Sequence, residues 1–182
     1  MSSRTNFETV LSSARAGEDW AWRALYADHA AALLGYLRAQ RADHPEDVLG
    51  EVMLQIVRDL PAFGGGEPEF RAWAFTIAHH RLLDERRRAA RRPAQAMAPA
   101  DVERLLPLGD ADEDAARALG AERVAELLAQ VSPEQQTVIL LRVLGDLTCE
   151  QVGKVLGKTA GAVKLLQHRG FQTLRRHLER AA

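Results

Sequence analysis

The sequence has little of what would mark an enzyme, a secreted scaffold or a membrane protein. Its single cysteine, Cys149, excludes an internal disulfide framework and a cysteine-based zinc site. No apolar run approaches the length needed to cross a bilayer, and no signal-peptide core is evident, so we expect a cytoplasmic protein without membrane insertion. Catalytic triads, paired carboxylates and phosphate-binding glycine loops do not stand out. We therefore expect neither enzymatic activity nor a cofactor.

A metal site is also not expected, although two adjacent histidines raise the question. His79 and His80 precede Asp84 on one predicted helix. Neighbouring positions on a helix diverge by about 100°. Two such imidazoles rarely share a single ion.

Apolar residues recur at helical spacing along the chain, and no alternating strand pattern is evident. The spacing predicts helices over roughly 5–16, 18–39, 45–60, 69–91, 117–130, 133–145, 148–156 and 159–178. The stretch PAFGGGEP (61–68) must be a loop, because it packs two prolines and three glycines into eight residues. Residues 91–114 contain three prolines and turn acidic, which is typical of a flexible linker. We predict an all-α fold of two small helical domains, 1–92 and 121–182, joined by an acidic linker over 93–120.

The net charge of −1 argues against a simple basic nucleic-acid binder, but the charges are segregated along the chain. Residues 81–92 carry six arginines against two acids, and residues 154–180 carry seven cations against one acid. Residues 101–122, between them, carry seven acids against two arginines. Two basic segments around an acidic one suit nucleic-acid contacts, yet charge runs are also common on solvated faces. Charge alone leaves both interpretations open.

The C-terminal unit has the sequence form of a helix-turn-helix. Ser132 and Thr148 each stand three residues before a glutamine, as in a capping box. Gly157 can adopt the positive φ that a tight turn needs, and Thr159 can cap the helix that follows. Two short capped helices and a longer one are therefore expected.

The last helix is predicted to have a packing face and a polar face. The packing face comprises Val163, Gly170, Leu174 and Leu178, flanked by Leu166 and Phe171, and would lie on Val152, Val155 and Leu156. The opposite face carries Gly161, Lys164, Leu165, His168 and Gln172. Small residues near its start and donors along its exposed side suit entry into the major groove. A surface helix with solvated lysine and histidine is the alternative.

From Leu127 to Leu178 the chain resembles domain 4 of the extracytoplasmic-function sigma factors of bacterial RNA polymerase. The resembling run is LLAQVSPEQQTVILLRVLGDLTCEQVGKVLGKTAGAVKLLQHRGFQTLRRHL. The resemblance implies that the last helix reads the minus-thirty-five promoter element through Lys158, Thr159, Gly161, Lys164, Leu165, His168 and Arg169. Gly170 departs from the usual alanine, and Leu166-Gln167 from the common Arg-Leu. Because Gln167 lies near the buried face, it needs an internal hydrogen-bond partner.

The N-terminal part resembles sigma domain 2 of the same family. The resembling segments are LYADHAAALLGYLRAQ, EDVLGEVMLQIVRDLPAF and FRAWAFTIAHHRLLDERRR, in the family's order. Asp47, Glu51 and Gln55 follow one another at i+4, which by itself favours a solvated stripe. The resemblance instead implies that this stripe binds the clamp helices of the polymerase β′ subunit. Gly50 stands where a polar residue is common.

The glycine loop beside a basic helix suits capture of an unstacked base. The resemblance implies contacts with the melted minus-ten element at Phe63, Phe70, Trp73, His80, Arg86, Arg87 and Arg88. Among these, His80 stands where asparagine is frequent, and the arginines, with Arg91 and Arg92, would meet backbone phosphates. From spacing alone, an aromatic pair such as Phe70 and Trp73 at i+3 is more often part of a core.

Together the two resemblances imply an alternative sigma factor. Its partners would be core RNA polymerase, through the β′ clamp helices and the β flap, and promoter DNA. An anti-sigma factor is a further candidate partner, as for many members of the family. A free-standing helix-turn-helix regulator that binds operators without polymerase is one alternative, and a helical adaptor protein is another.

Overall fold

The computed structural model describes residues 2–91 and 123–181, with side chains from 6 to 91 and from 123 to 180. Its helices are α1 (Ser2–Arg15), α2 (Asp19–Ala39), α3 (Pro45–Asp59), α4 (Glu67–Arg91), α5 (Pro133–Val143), α6 (Cys149–Leu156) and α7 (Ala160–Ala181). A 3-10 turn, Leu60–Ala62, follows α3, and residues 123–128 are also helical. Within these ranges there is no strand, which confirms the all-α prediction. The predicted linker over 93–120 lies outside the described residues.

Helices α1–α4 form the N-terminal unit around an apolar centre. One apolar face of α3 points inward, since Leu49, Val52 and Ile56 are buried, as is Leu60 in the turn that follows. The largest fully buried side chains from the other helices are Leu25, Leu33, Tyr36, Leu37, Phe70, Phe75 and Leu82. Burying a side chain of this size contributes about 1.5–3 kcal/mol. The core thus holds α4 beside α3, and each of these two helices exposes its outer face to solvent. Over both described ranges, every helix is too short or too polar to cross a lipid bilayer.

Helices α5–α7 form the C-terminal unit, and local signals place their ends. Both predicted capping boxes are confirmed: the Gln135 amide donates to Ser132 Oγ at 3.3 Å, and the Gln151 amide donates to Thr148 Oγ1 at 3.1 Å. Gly157 ends α6 with φ of 64°, the left-handed conformation that the turn requires. The predicted helix-turn-helix is therefore formed by α6, this turn and α7.

The packing face predicted for α7 is confirmed at Val163, Leu166, Gly170 and Leu174, but not at Phe171 and Leu178. Val163 and Gly170 are buried, whereas Phe171 is 42% and Leu178 is 46% exposed. The prediction that Phe171 and Leu178 pack on α6 is wrong, because α7 has 22 residues and α6 has eight. The last turns of α7, beyond Leu174, therefore extend past α6.

Candidate nucleic-acid interface

The outer face of α7 presents most of the residues predicted to read DNA. Those that are exposed to solvent are Gly161, Lys164, Leu165, His168 and Arg169. A methyl group at Gly161 would lie no closer than 4.0 Å to Thr159 Oγ1, so the start of the helix is open to a close approach. Lys164 and His168 are four residues apart and lie on the same side of the helix. In the part of the chain that the structure describes, this face is uncovered.

Two further residues predicted to contact DNA, Lys158 and Thr159, have partners within the chain at the start of α7. Thr159 Oγ1 accepts a hydrogen bond from the Ala162 amide at 3.2 Å, so Thr159 is the helix cap. Lys158 Nζ lies 3.0 Å from Glu134 Oε1, in an ion pair whose glutamate is 61% exposed. An exposed pair of this kind contributes at most about 1 kcal/mol. A phosphate at the helix N-terminus can therefore replace Glu134 as the partner of Lys158.

The departures from the family pattern on α7 have local explanations. Gln167 is half-buried, and its Oε1 accepts a hydrogen bond from Cys149 Sγ at 3.6 Å, which supplies the internal partner that its position requires. A methyl group at Gly170 would lie 2.8 Å from Ile139 Cδ1, closer than carbon atoms normally approach. Glycine at this position allows α7 to pack tightly on α5.

Aromatic side chains cluster beside the glycine loop of the N-terminal unit. Phe63 stacks on Trp73 with ring centroids 4.9 Å apart and an interplanar angle of 24°. Phe70 meets both rings edge-on, at 5.6 Å and 5.7 Å. Phe63 and Trp73 are both half-buried. A half-exposed aromatic stack next to a loop can receive an unstacked base.

Phe70, for which the resemblance implies a contact with the minus-ten element, is only 1% exposed, so its ring is inaccessible in this arrangement. Its ring also contacts Phe7 at 5.6 Å and His29 at 5.0 Å, so it is enclosed by α1 and α2. The spacing argument for a core residue therefore holds for Phe70. Phe70 thus packs against the rings of Phe63 and Trp73 from the side of the core.

The glycine loop (61–68) is held in place by Arg15, the last residue of α1. The Arg15 guanidinium donates to the carbonyl oxygens of Leu60 and Phe63. At the other end of the loop, the Gly66 amide donates to Glu69 Oε2 at 3.0 Å. Gly65 between them has a φ of 144°, which favours glycine. Sequence reasoning missed Arg15, because its carbonyl partners are 45 and 48 residues away.

The three arginines predicted to meet phosphates differ in how strongly other groups of the chain already hold them. Arg86 donates to the Gln40 carbonyl oxygen and, at 3.3 Å, to Gln40 Oε1, so it is part of the fold. Arg87 lies 3.2 Å from Asp84, and Arg88 lies 3.4 Å from Glu51. Both arginine side chains are more than half exposed, at 68% and 57%. Arg87 and Arg88 are therefore the two that can exchange a weak carboxylate contact for a phosphate.

The two histidines of α4 have separate environments. His80 is exposed, whereas His79 is half-buried, and its Nδ1 is hydrogen-bonded to the Tyr36 hydroxyl at 2.8 Å. Burial, followed by the nearby His80 and Arg86, lowers the pKa of His79 to about 4. In the described part of the chain, no three potential ligands lie close enough together to hold a metal ion. His80 is thus the member of the pair that a ligand outside the fold can reach.

The buried His79 predicts an acid sensitivity of the N-terminal unit. In the unfolded chain His79 titrates near 6.5, so between about pH 6.5 and pH 4 the unfolded state binds more protons than the folded state. Stability is therefore fully present above about pH 6.5, decreases as the pH falls towards 4, and levels off below. Replacing His79 with glutamine, which can still accept from Tyr36, should reduce the difference in unfolding free energy between pH 7 and pH 5. Urea unfolding at both pH values measures this.

Tyr36→Phe is the matched control for this prediction, because it removes the hydrogen bond and keeps the titrating imidazole. We expect Tyr36→Phe to retain the pH dependence of the wild type at a lower overall stability. An equal pH dependence in wild type and His79→Gln would contradict the assignment to His79.

The predicted polymerase-binding stripe on α3 is partly engaged by α4. Asp47 is exposed, but Gln55 Oε1 accepts from Arg81 at 3.0 Å and 2.8 Å. Glu51 lies 3.8 Å from Arg81 and 3.4 Å from Arg88. The stripe is therefore a charged border shared by α3 and α4.

Next to this border, α3 exposes apolar side chains that sequence reasoning did not single out. Leu54 is 67% and Val57 is 47% exposed, and Gly50 has no atom within 4 Å of where a methyl group would stand. Together with Asp47 these three residues form what we call the α3 outer face. An exposed apolar patch with a polar border is typical of a protein-binding surface.

Comparison with known proteins gives consistent matches in both units. Residues 25–92 match Sigma-70 region 2, and residues 127–176 match Sigma-70, region 4. The ECF RNA polymerase sigma factor SigL of Mycobacterium tuberculosis is 32% identical over 171 residues, which are 93% of this chain and 95% of SigL. The ECF RNA polymerase sigma factor ShbA of Streptomyces griseus subsp. griseus is 35% identical over 133 residues, 71% of this chain and 69% of ShbA.

A solved structure supports the fold. It is that of CnrH in complex with the cytosolic domain of CnrY, with a TM-score of 0.67 and 22% sequence identity. The match covers 97% of this chain and 99% of that one.

Proposed function

The chain belongs to the ECF family of RNA polymerase sigma factors, and we propose that it binds core RNA polymerase and directs promoter-specific transcription initiation as an alternative sigma factor. Sigma factors of this family are initiation factors without a catalytic site, so no residue is assigned a catalytic role. The protein would act in the cytoplasm, where the polymerase is. An anti-sigma factor remains a proposed partner, and no residue is assigned to it.

The observation that carries this proposal is that each unit exposes one surface carrying cations or half-exposed aromatic rings, in the order in which the family's two DNA-binding regions occur. In the C-terminal unit, Lys164 and His168 on the outer face of α7 would meet base edges of the minus-thirty-five element. In the N-terminal unit, the Phe63–Trp73 stack and His80 would hold an unstacked base of the minus-ten element. Arg87 and Arg88 would bind phosphates beside it.

Contacts with the polymerase are proposed for the N-terminal unit and the end of the chain. The α3 outer face, with Glu51 and Gln55 at its border, would bind the β′ clamp helices. The apolar side chains left exposed on the second half of α7, Phe171 and Leu178, suit the β flap. Apolar anchors at the centre of such interfaces usually contribute most of the binding energy.

Run-off transcription with core polymerase, with and without this chain, tests the proposal. We expect initiation at defined promoters in its presence. Binding of an operator by the chain alone, together with no initiation by the reconstituted enzyme, would instead establish a free-standing helix-turn-helix regulator.

A double substitution tests the reading face of α7. Lys164→Ala with His168→Ala should weaken binding of the minus-thirty-five element at least tenfold, because each good base contact contributes about 1–3 kcal/mol. Binding of core polymerase should be unchanged, since both side chains lie on the outer face. Holoenzyme binding to promoter fragments with intact or scrambled minus-thirty-five elements measures the effect.

Arg180→Ala is the control, because it also removes one exposed cation from α7 without altering the proposed reading face. It should weaken binding to both fragments equally, as expected for a phosphate contact. Unchanged discrimination between the fragments in the double variant would count against Lys164 and His168 as reading residues.

A further inference from the structure

Arg15 connects α1 to the glycine loop through two hydrogen bonds from one guanidinium group. Its Nε donates to the Leu60 carbonyl oxygen at 3.3 Å, and its Nη2 donates to the Phe63 carbonyl oxygen. Leu60 begins the 3-10 turn that leads into the glycines, and Phe63 follows that turn. Because the guanidinium is planar and rigid, the two bonds fix where the loop begins and where Phe63, whose ring stacks on Trp73, is placed.

The backbone that carries Arg15 is itself held on both sides. Helix α1 packs on the core through four buried side chains, Phe7, Val10, Leu11 and Ala14. Just after Arg15 the helix ends at Gly17, which has a φ of 84°, and the Glu18 amide donates to the Ser13 carbonyl oxygen at 3.0 Å. This is the glycine-terminated helix end that satisfies the last carbonyl groups. The guanidinium therefore reaches the loop from a fixed position.

The charge around the glycine loop is unfavourable for a nucleotide unless a cation comes from elsewhere in the fold. The loop and the first turn of α4 carry Glu67 and Glu69 but no lysine or arginine. Arg71, the first arginine of α4, lies 3.0 Å from Glu67 and 2.8 Å from Asp146, so two carboxylates already share its charge. A nucleotide that enters the loop brings a negative phosphate towards these acids. Arg15 supplies a positive charge at the loop itself.

The bonds to the loop leave part of the Arg15 guanidinium accessible. Arginine has five N–H donors, and the two bonds use one on Nε and one on Nη2, so both N–H groups of Nη1 remain. Arg15 is exposed to solvent. Gly64, which directly follows the carbonyl that Arg15 holds, has no atom within 4 Å of where a methyl group would stand, so the loop is open there. A phosphate that enters at Gly64 can therefore accept from Nη1.

We propose that Arg15 is a positioning and phosphate-binding residue of the minus-ten site. It holds the glycine loop in the shape that receives the unstacked base, and its remaining N–H groups bind the phosphate of the same nucleotide. The inference rests on the proposed function for its ligand, single-stranded promoter DNA. It adds α1 to the site, because Arg15 precedes residues 25–92, which match Sigma-70 region 2. A loop that is already shaped in the free chain also loses less conformational freedom on binding.

Hydrogen exchange in the free chain tests whether Arg15 holds the loop, without any promoter. Arg15→Ala should speed the exchange of the amides between 62 and 66 about tenfold, since two bonds from a charged donor are lost. Arg23→Ala is the matched control, because Arg23 also donates to a carbonyl oxygen, that of Asp19 at 3.4 Å, but within its own helix. It should leave exchange in the loop unchanged. Equal exchange in wild type and Arg15→Ala would overturn the proposal.

Holoenzyme binding to single-stranded oligonucleotides tests the phosphate contact. The oligonucleotides carry the non-template minus-ten strand of a promoter that run-off transcription defines, with each base substituted in turn. Arg15→Ala should weaken binding about tenfold and reduce the preference for the native base at the unstacked position. It should also lower the slope of log affinity against log salt by about 0.7, as for one phosphate contact on a single strand.

Two further variants separate the positioning of the loop from the phosphate contact. Arg15→Lys keeps the charge but not the planar group, so it should keep the salt dependence of the wild type and lose base preference. Arg87→Ala removes only a proposed phosphate contact, so it should lower the salt dependence and keep base preference.

Two results with Arg15→Ala would overturn the proposal. One is wild-type affinity, salt dependence and base preference on the minus-ten strand. The other is an equal weakening of binding to minus-thirty-five fragments, which would show a general loss of structure. Absence of transcription by the wild-type holoenzyme would instead refute the sigma function and with it the phosphate contact, whereas hydrogen exchange would still decide whether Arg15 holds the loop.

Discussion

Gly153→Ala is expected to be among the most damaging single substitutions in the C-terminal unit and to abolish recognition of the minus-thirty-five element. A methyl group at Gly153 would lie 2.6 Å from the Lys158 carbonyl oxygen. Lys158 cannot move away easily, because its amide donates to the Gly153 carbonyl oxygen at 2.8 Å and its carbonyl precedes the cap of α7. The turn between α6 and α7 must therefore distort, which changes the direction of the reading helix.

We expect a large loss of stability because the added methyl group would clash with a backbone atom rather than with a flexible side chain. Overpacking a tight site costs about 1–3 kcal/mol, and occasionally more. For a chain of this length each kcal/mol lowers the melting temperature by about 2–4 °C, so we expect a decrease of about 5–10 °C. Thermal unfolding measures the stability, and binding of holoenzyme to the minus-thirty-five element measures the reorientation of α7.

Gly50→Ala is the matched control for stability. Gly50 also lies in the middle of a helix, but no atom lies within 4 Å of its added methyl group. Alanine is favoured over glycine in a helix by about 1 kcal/mol, so this variant should melt at a slightly higher temperature. If Gly153→Ala were as stable as Gly50→Ala, the close approach at the turn would not be a constraint on the fold.

Features that depend on neighbours along the chain could be predicted from the sequence. The capping boxes at Ser132 and Thr148 and the left-handed turn at Gly157 need only residues within one turn of helix. The inward face of α3 follows from the 3.6-residue period alone. Gly153 had a local signal too, as a glycine inside an eight-residue helix, but the atom it makes room for is not visible in a sequence.

Features that depend on contacts between distant segments could not be predicted. Phe70 and Trp73 are both aromatic and lie one helical turn apart, yet α1 and α2 bury Phe70 and leave Trp73 half-exposed. Arg86 belongs to the same basic run as Arg87, but a carbonyl 46 residues away engages it. The lengths of α6 and α7 decide the exposure of Phe171. In each case charge or periodicity gives the residue's class, and tertiary packing decides what it can contact.

Leu54→Arg should prevent binding of core RNA polymerase while leaving the fold intact. Leu54 is 67% exposed at the centre of the α3 outer face, so arginine can be accommodated in solution. Buried in an interface, the new charge would have no partner, and truncating or charging such an anchor costs at least about 2 kcal/mol, roughly thirtyfold in affinity. Co-purification with β′ and titration of core with labelled protein measure the loss.

Leu54→Arg is a more specific test of core binding than replacement of the charged border of α3. Joint replacement of Asp47, Glu51 and Gln55 should also impair assembly with core, but it would leave Arg81 and Arg88 without their partners and so disturb the contact of α3 with α4. Tyr26→Arg is the matched control for Leu54→Arg, because Tyr26 is 51% exposed in the same unit but lies on α2. Normal binding by Tyr26→Arg and lost binding by Leu54→Arg would assign core binding to the α3 outer face. Normal co-purification of Leu54→Arg would exclude that face, since a new arginine cannot be buried there without a measurable loss.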